Sequence, residues 1–326
     1  MTSTLADGVR KGDRRALAKA ITLVESERTD HRVIASALLD ELLPNTGGAI
    51  RVGVSGAPGS GKSSVIEALG MYAIAAGHRV AVLAVDPSST LSGGSILGDK
   101  TRMAELGRQP DAYIRPSPSG GTLGGVARRT REALLVCEAA GFDLVLVETV
   151  GVGQSEVAVA DLVDLFLLIS SPTGGDELQG IKRGIMELAD IIVVNKADGD
   201  LLGAANLAAA DLRNAVHLLR PKRVGWEVQV GTCSALEGGG IEELWTLITD
   251  AHRRLVSDNE LPTLRSHQAT SWLWDEVTEA LLERFRRDPL VHGRLPELQV
   301  EVAAGRLSPR AASAELLRAV VARDES

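Results

Sequence analysis

Gly56-Ala57-Pro58-Gly59-Ser60-Gly61-Lys62-Ser63 is a complete G-x-x-x-x-G-K-[ST] phosphate-binding loop, and Ser64 extends it. Glycines let backbone N–H groups curl around an anion without Cβ obstruction, and a following helix adds partial positive charge and unpaired donors. Lys62 is then placed to reach the β and γ phosphates of a nucleotide, and the Ser63 hydroxyl to ligate magnesium. A hard cation wants oxygen ligands and keeps several waters, so Asp86 (in Val85-Asp86-Pro87-Ser88-Ser89-Thr90) and Asp99 (in Gly98-Asp99-Lys100-Thr101-Arg102) are candidates to help hold it. Asp86 ahead of proline equally suits an Asx turn, and Asp99 a helix cap.

Glu148-Thr149-Val150-Gly151 is an acidic-x-x-Gly element, which offers a carboxylate near magnesium and a glycine N–H that can meet a γ-phosphate. Most GTPases carry aspartate at the acidic position. No glutamine directly follows Gly151, the nearest being Gln154, so slow intrinsic hydrolysis is expected. The expected catalytic set is Lys62, Asp86, Asp99, Glu148 and Gly151. Asn195-Lys196-Ala197-Asp198 matches N-K-x-D, in which the aspartate accepts from the N1–H and N2–H₂ of guanine, where adenine offers no matching donors. Asn195 would tie this segment to the phosphate loop, and the Lys196 stem can lie along the base. Ser234-Ala235-Leu236 matches the S-A-x loop, whose backbone N–H meets guanine O6. The expected ligands are GTP or GDP with Mg²⁺.

Elements must hold these groups in place. Apolar runs at 50–55, 79–85, 143–149, 164–170, 190–195 and 228–232 read as strands. Leu144-Val145-Leu146-Val147 and Ile191-Ile192-Val193-Val194 are continuous, as in strands buried on both faces. Helical stretches alternate with them, predicting an α/β fold with a mostly parallel sheet covered on both faces. Ligands in such sheets bind beyond the carboxyl ends of the strands, where every motif above falls. The segment Ser171 to Ile185, with Gly174-Gly175-Asp176-Glu177-Leu178-Gln179-Gly180, reads either as a mobile element that registers nucleotide state or as a solvated connector.

Residues 1–46 form an N-terminal helical extension, with Asp13 capping one helix and Thr29 or Asp30 opening another. Residues 47–260 form the nucleotide domain. From 261 to 326 the chain is helical and amphipathic, with Leu273, Trp274, Val277, Leu281 and Phe285 at helical spacing and Pro289, Pro296 and Pro309 dividing off further helices. Such short helices either fold back on the main domain or pair with a second copy.

Thirty-five basic against 43 acidic residues give a net charge of −8, which argues against nucleic acid as a partner. The only cysteines, Cys137 and Cys233, form neither a C-x-x-C nor a cluster with histidine, so no zinc site or disulfide framework is indicated. The first fifteen residues lack an apolar core and no long apolar run follows, so a cytoplasmic protein without membrane attachment is expected.

Together these segments resemble the methylmalonyl-CoA mutase-associated GTPases, the MeaB/ArgK/MMAA family. The resemblance rests on the phosphate loop, Val85-Asp86-Pro87-Ser88-Ser89, Gly93 to Met103, Glu148-Thr149-Val150-Gly151-Val152-Gly153-Gln154-Ser155-Glu156, residues 174–188 and Asn195-Lys196-Ala197-Asp198, and spans nearly the whole chain. It implies a P-loop GTPase with N-terminal helices and a C-terminal dimerisation arm. The implied function is a chaperone that uses GTP to gate adenosylcobalamin loading into methylmalonyl-CoA mutase and to protect and reactivate that enzyme. Residues 174–188 resemble a switch that reports nucleotide state to the mutase. Two alternatives are a kinase-like regulator of arginine and ornithine transport, for which no acceptor-binding feature is visible, and a metal-insertion GTPase. The latter should carry Cys or His ligands near the phosphate loop or in a histidine-rich tail, and this sequence has neither.

Overall fold

A computed structural model describes residues 2–86, 103–118, 123–149, 155–172, 183–219, 222–223 and 225–324. The chain divides into two compact units, Met1–Gln268 and Ala269–Ser326.

The first unit opens with helices α1 (Thr2–Arg10), α2 (Arg14–Val24) and α3 (Thr29–Leu42). As expected, the Asp13 carboxylate caps α2, accepting from the Ala16 N–H at 2.7 Å. β1 (Ile50–Gly56), α4 (Lys62–Ala75) and β2 (Val80–Asp86) follow, then the short α5 (Ala104–Arg108) and β3 (Ala112–Pro118). Next come α6 (Leu123–Ala139), β4 (Leu144–Thr149), α7 (Ser155–Ala160), β5 (Leu165–Ser170), α8 (Arg183–Leu188) and β6 (Ile191–Val194). α9 (Leu202–Val216), β7 (Gln229–Thr232) and α10 (Ile241–Ser257) complete the sheet region, and α11 (Glu260–Arg287) begins in this unit.

The described strands form one parallel sheet in the order β3-β2-β4-β1-β5-β6-β7. β1 is central, and the chain winds away from it to both sides, so the loop after β1 opens into the crevice where α/β sheets bind ligands. The six strands read from the sequence are present within a residue or two. β3 is an addition to them: Ala112-Tyr113-Ile114-Arg115-Pro116-Ser117-Pro118 carries two prolines and only three apolar residues in a row, a composition tolerated because, among the described strands, β3 is an edge that pairs with β2 alone. Val65, Ile66 and Leu69 of α4 pack with Leu244 and Ile248 of α10 on one face of the sheet. On the other, Gly53 of β1 leaves room for Val159 and Phe166; a Cβ there would lie 2.9 Å from Val159 Cγ1.

The amino ends of three strands are pinned alike. Asp143, Asp164 and Asp190 each stand just before a strand and accept the backbone N–H of a neighbouring strand's start: Arg79 at 2.8 Å, Arg51 at 2.9 Å and Phe166 at 2.8 Å. Cations neutralise the buried pair of them, Arg265 forking onto Asp164 at 2.7 and 2.9 Å and Lys222 reaching Asp190 at 2.9 Å. The Arg51 side chain forks onto Glu138 at 2.8 and 2.9 Å, both fully buried.

The second unit holds the rest of α11 with α12 (Pro289–Ala303) and α13 (Pro309–Asp324). Its core is Val291, Leu298, Ala312 and Leu316, with Phe285, Leu295 and Leu307 packed against it. Pro289 and Pro309 open their helices as expected. Pro296 does not divide two helices but lies within α12, where burial of Val291 and Leu298 offsets its missing N–H. α11 runs unbroken through the sequence boundary at 260 and the division between units at 268, since its first turns are held in the first unit by Arg265 and by Gln268, whose Nε2 donates to Val163 O at 2.8 Å. Among the described residues, no helix is long and apolar enough to cross a membrane.

Candidate functional site

β1 is buried along nearly its whole length and ends at Gly56, where the chain must turn with no room for a side chain: a Cβ at Gly56 would lie 2.2 Å from Ile169 O of β5. Gly59 and Gly61 have φ of 82° and 88°, the left-handed region that favours glycine. The loop therefore closes tightly, with Ser60 N–H donating to Ala57 O at 3.2 Å, and delivers Lys62 and Ser63 into the first turn of α4. The Lys62 ammonium lies over this loop, 2.7 Å from Gly56 O and 3.2 Å from Ala57 O.

β4, the neighbour of β1, ends in Glu148 and Thr149, and register sets Glu148 beside Val54. The Ser63 hydroxyl donates to Glu148 Oε1 at 2.9 Å, so two residues 85 positions apart converge. A hydroxyl and a carboxylate oxygen form a hard donor pair, which suits a cation such as Mg²⁺ that keeps water and phosphate oxygens as its other ligands. Beneath them Thr149 Oγ1 donates to Ser55 Oγ at 2.9 Å, locking the ends of β1 and β4 together. Asp86 closes β2, two strands from β1. Asp99 and Gly151 lie outside the described residues, as do residues 173–182; Arg183 to Leu188 form α8.

Asn195 makes the decisive connection. Its Nδ2 donates to Ser60 O at 3.0 Å, while Oδ1 accepts from the Ala235 N–H at 3.1 Å and from the Cys233 thiol at 3.7 Å. One buried amide thus joins the phosphate loop, the segment after β6 and the segment after β7. The fit is close, since a Cβ at Gly61 would lie 2.3 Å from Asn195 Nδ2. Burial pushes the Cys233 thiol up to about 12, which keeps it protonated as a donor. Lys196 takes a φ of 62°, turning the chain so that Asp198 faces the third loop, where Ser234 Oγ donates to Asp198 Oδ2. Ser234 also accepts at Oγ from the Glu237 N–H at 3.0 Å, and its own N–H donates to Gly239 O at 2.7 Å. Leu236 is exposed beside them.

The structure brings together Gly56 to Ser64, Glu148, Asn195 to Asp198 and Ser234 to Leu236 at the carboxyl ends of β1, β4, β6 and β7. Sequence reasoning passed over Cys233 and Gly240. A Cβ at Gly240 would lie 2.3 Å from Thr232 O, so only glycine lets α10 start directly behind the third loop. The run Gly238-Gly239-Gly240 was the available signal.

The sequence profile of the family described as methylmalonyl-CoA mutase-associated GTPase MeaB matches residues 17–289. A probable GTPase of Mycobacterium tuberculosis is 55% identical over 313 residues, 96% of this chain and 93% of its own. The mouse mitochondrial methylmalonic aciduria type A homolog is 48% identical over 329 residues, 98% of this chain and 79% of its own. A crystal structure of a LAO/AO transport system kinase superposes with a TM-score of 0.76 at 39% identity, covering 98% of this chain and 97% of that one.

Proposed function

The chain belongs to the methylmalonyl-CoA mutase-associated GTPase family and is a GTP hydrolase; from that premise we propose that it is a chaperone whose GTP cycle gates adenosylcobalamin loading into methylmalonyl-CoA mutase, and protects and reactivates that enzyme. The observation that carries the nucleotide half of this reading is Asn195, which fastens the phosphate loop to both guanine-type loops. Gly56 to Ser64 wrap the phosphates, Lys62 neutralises the β and γ oxygens, Asp198 reads N1–H and N2–H₂ of guanine, and the backbone of Ser234, Ala235 and Leu236 meets O6. Ser63 and Glu148, with Asp86 and Asp99, hold Mg²⁺. When bound, that ion supplies positive charge to the phosphates. Gly151 senses the γ-phosphate. Turnover is slow without a partner, since no glutamine follows Gly151 directly.

The client half rests on the family. GTP and GDP differ only at the γ-phosphate, so the mutase distinguishes them through segments that this phosphate biases, and residues 174–188 are the candidate contact. The proposed assembly is a cytoplasmic homodimer. The test is GTP hydrolysis with and without purified mutase for the unaltered protein, Gln179→Ala and Lys182→Ala. Stimulation by the mutase that is lost in both variants, at unchanged GTP affinity, is the expected result. Stimulation that survives both substitutions moves the coupling to the 86–102 or 148–156 segments, and no stimulation of the unaltered protein rejects the client. One finding favours a second reading as a kinase in arginine and ornithine transport: the name carried by the structural relative. Transfer of γ-phosphate from GTP to a protein acceptor, in place of release as inorganic phosphate, would establish it.

A further inference from the structure

The sheet parts in its middle at the carboxyl ends of the strands. The ladder between β1 and β4 has its last rung at Val54 and Glu148. Past that rung β1 stays with β5 as far as Gly56 opposite Ile169, while β4 stays with β2 as far as Thr149 opposite Val85. One side of the gap, β1 with β5, β6 and β7, carries the phosphate loop and the two guanine-type loops that Asn195 joins. The other side, β4 with β2 and β3, carries Glu148 and Asp86, and Gly151 comes two residues after β4 ends. The groups that grip the nucleotide and the candidate groups for metal and γ-phosphate therefore stand on opposite sides.

Two side-chain bonds described above cross this gap. The bond from Ser63 to Glu148 lies within the candidate metal site, so it depends on what is bound there. The bond from Thr149 to Ser55, 2.9 Å between hydroxyl oxygens, does not. These two residues occupy the place that the next rung would take, and both are fully buried. Thr149 Oγ1 has Val54 O as a second acceptor at 3.4 Å. A buried hydroxyl costs free energy unless it is bonded, and two valines here would prolong the apolar runs of both strands without that cost. What the hydroxyl pair adds is one fixed distance across the gap.

We propose that Thr149 is a positioning residue for GTP hydrolysis: through Ser55, its hydroxyl sets where Glu148 and Gly151 stand relative to the nucleotide held on the other side of the gap. This rests on the reading of Glu148 as a magnesium ligand given above. Reacting groups must sit within a fraction of an ångström of their productive places, and a misplacement of about 1 Å can cost on the order of 100-fold in rate. The grip on the nucleotide comes from Lys62, Asn195 and Asp198 on the β1 side and does not pass through the pair. Loss of the tie therefore slows turnover and loosens the magnesium site while the nucleotide is still held.

Thr149→Val keeps the shape of the side chain and removes its donor, Thr149→Ser keeps the donor, and Ser55→Ala opens the tie from the other side. Glu148→Ala serves as the reference. The full-length proteins are compared by single-turnover GTP hydrolysis at saturating Mg²⁺, and by calorimetry with a β,γ-imido analogue of GTP, in EDTA and with Mg²⁺. For Thr149→Val and Ser55→Ala the expected result is hydrolysis slowed at least tenfold and the strengthening of analogue binding by Mg²⁺ reduced at least threefold. Affinity in EDTA should stay within twofold of the unaltered protein, and Thr149→Ser should hydrolyse GTP within threefold of it. Hydrolysis unchanged in Thr149→Val and Ser55→Ala, where Glu148→Ala slows it, overturns the positioning role and leaves the magnesium reading standing. A Thr149→Ser protein no faster than Thr149→Val, or a loss of EDTA affinity as large as the loss of rate, makes the pair a structural tie only and overturns the role as well. Hydrolysis unaffected by Glu148→Ala overturns the reading of Glu148 and the proposal with it.

Discussion

At the residue scale the site depends on a few side chains held in place by their neighbours. Asp198 is held by Ser234, so its carboxylate is oriented before any base arrives. Asp198→Ala should remove two charge-assisted hydrogen bonds to guanine, costing roughly 2–4 kcal/mol, or about 30- to 1,000-fold in affinity. GTP and GDP should suffer alike in calorimetry, while ATP binding should not improve. Gly61 is equally constrained for a steric reason. Its φ of 88° and the 2.3 Å approach of Asn195 Nδ2 to a Cβ position mean that Gly61→Ala must both strain the loop, by roughly 1–2 kcal/mol, and displace the amide that joins the loops. The expected outcome is a folded protein by circular dichroism whose GTP affinity falls at least tenfold. Wild-type affinity in that variant would show that the loops hold together without Asn195.

At the scale of elements, what could be read in advance follows from what each element is made of. Strands buried on both faces are written as continuous apolar runs, so β4, β5 and β6 were plain in the sequence. β3 was not, because an edge strand needs only one set of peptide bonds and can spend positions on Arg115, Pro116 and Pro118. The site was legible through its loops, whose spacing is set by phosphate and base chemistry. The tie from Asn195 to the phosphate loop was legible too, through the N-K-x-D motif, but its second tie was not: nothing local in Asn195 or Cys233 says that they meet across 38 residues. The aspartates before β4, β5 and β6 escaped notice for the same reason, since each acts on a strand far away in sequence. Asp164→Ala should strand the Arg51 N–H and the Arg265 guanidinium, which lies mostly within the protein, and cost roughly 3–5 kcal/mol. Denaturant unfolding measures this. GTP affinity of the fraction that remains folded should hardly change, because Asp164 stands at the opposite end of the strands from the phosphate loop.

At the scale of the whole molecule, the second unit has too little interior for the apolar residues it carries. Its core engages Val291, Leu298, Ala312 and Leu316, yet Trp274 is 66% exposed and Leu281 60%, with Leu273 and Val277 on the same stretch of α11. Three- and four-residue spacing places these four on one helical face, which the second copy of the proposed homodimer would cover. The full-length protein should therefore scatter light as a species of about 69 kDa, twice the 34.3 kDa chain, at micromolar concentration. Trp274→Glu with Leu281→Glu should halve that mass and leave GTP binding intact. A monomeric unaltered protein would reject the dimer.

The three pinned strand starts make the sheet a cantilever. Its amino ends are clamped by carboxylates that hold the register of β1, β2 and β5, while the load, the arrival and departure of a phosphate, is applied at the opposite, carboxyl ends. A beam fixed in this way bends most at its tip and hardly at its root. Small shifts of the loops around Lys62, Glu148 and Asn195 can then accompany the nucleotide cycle without any slip in pairing, and the stiffness that keeps the fold intact need not be given up where the chemistry takes place.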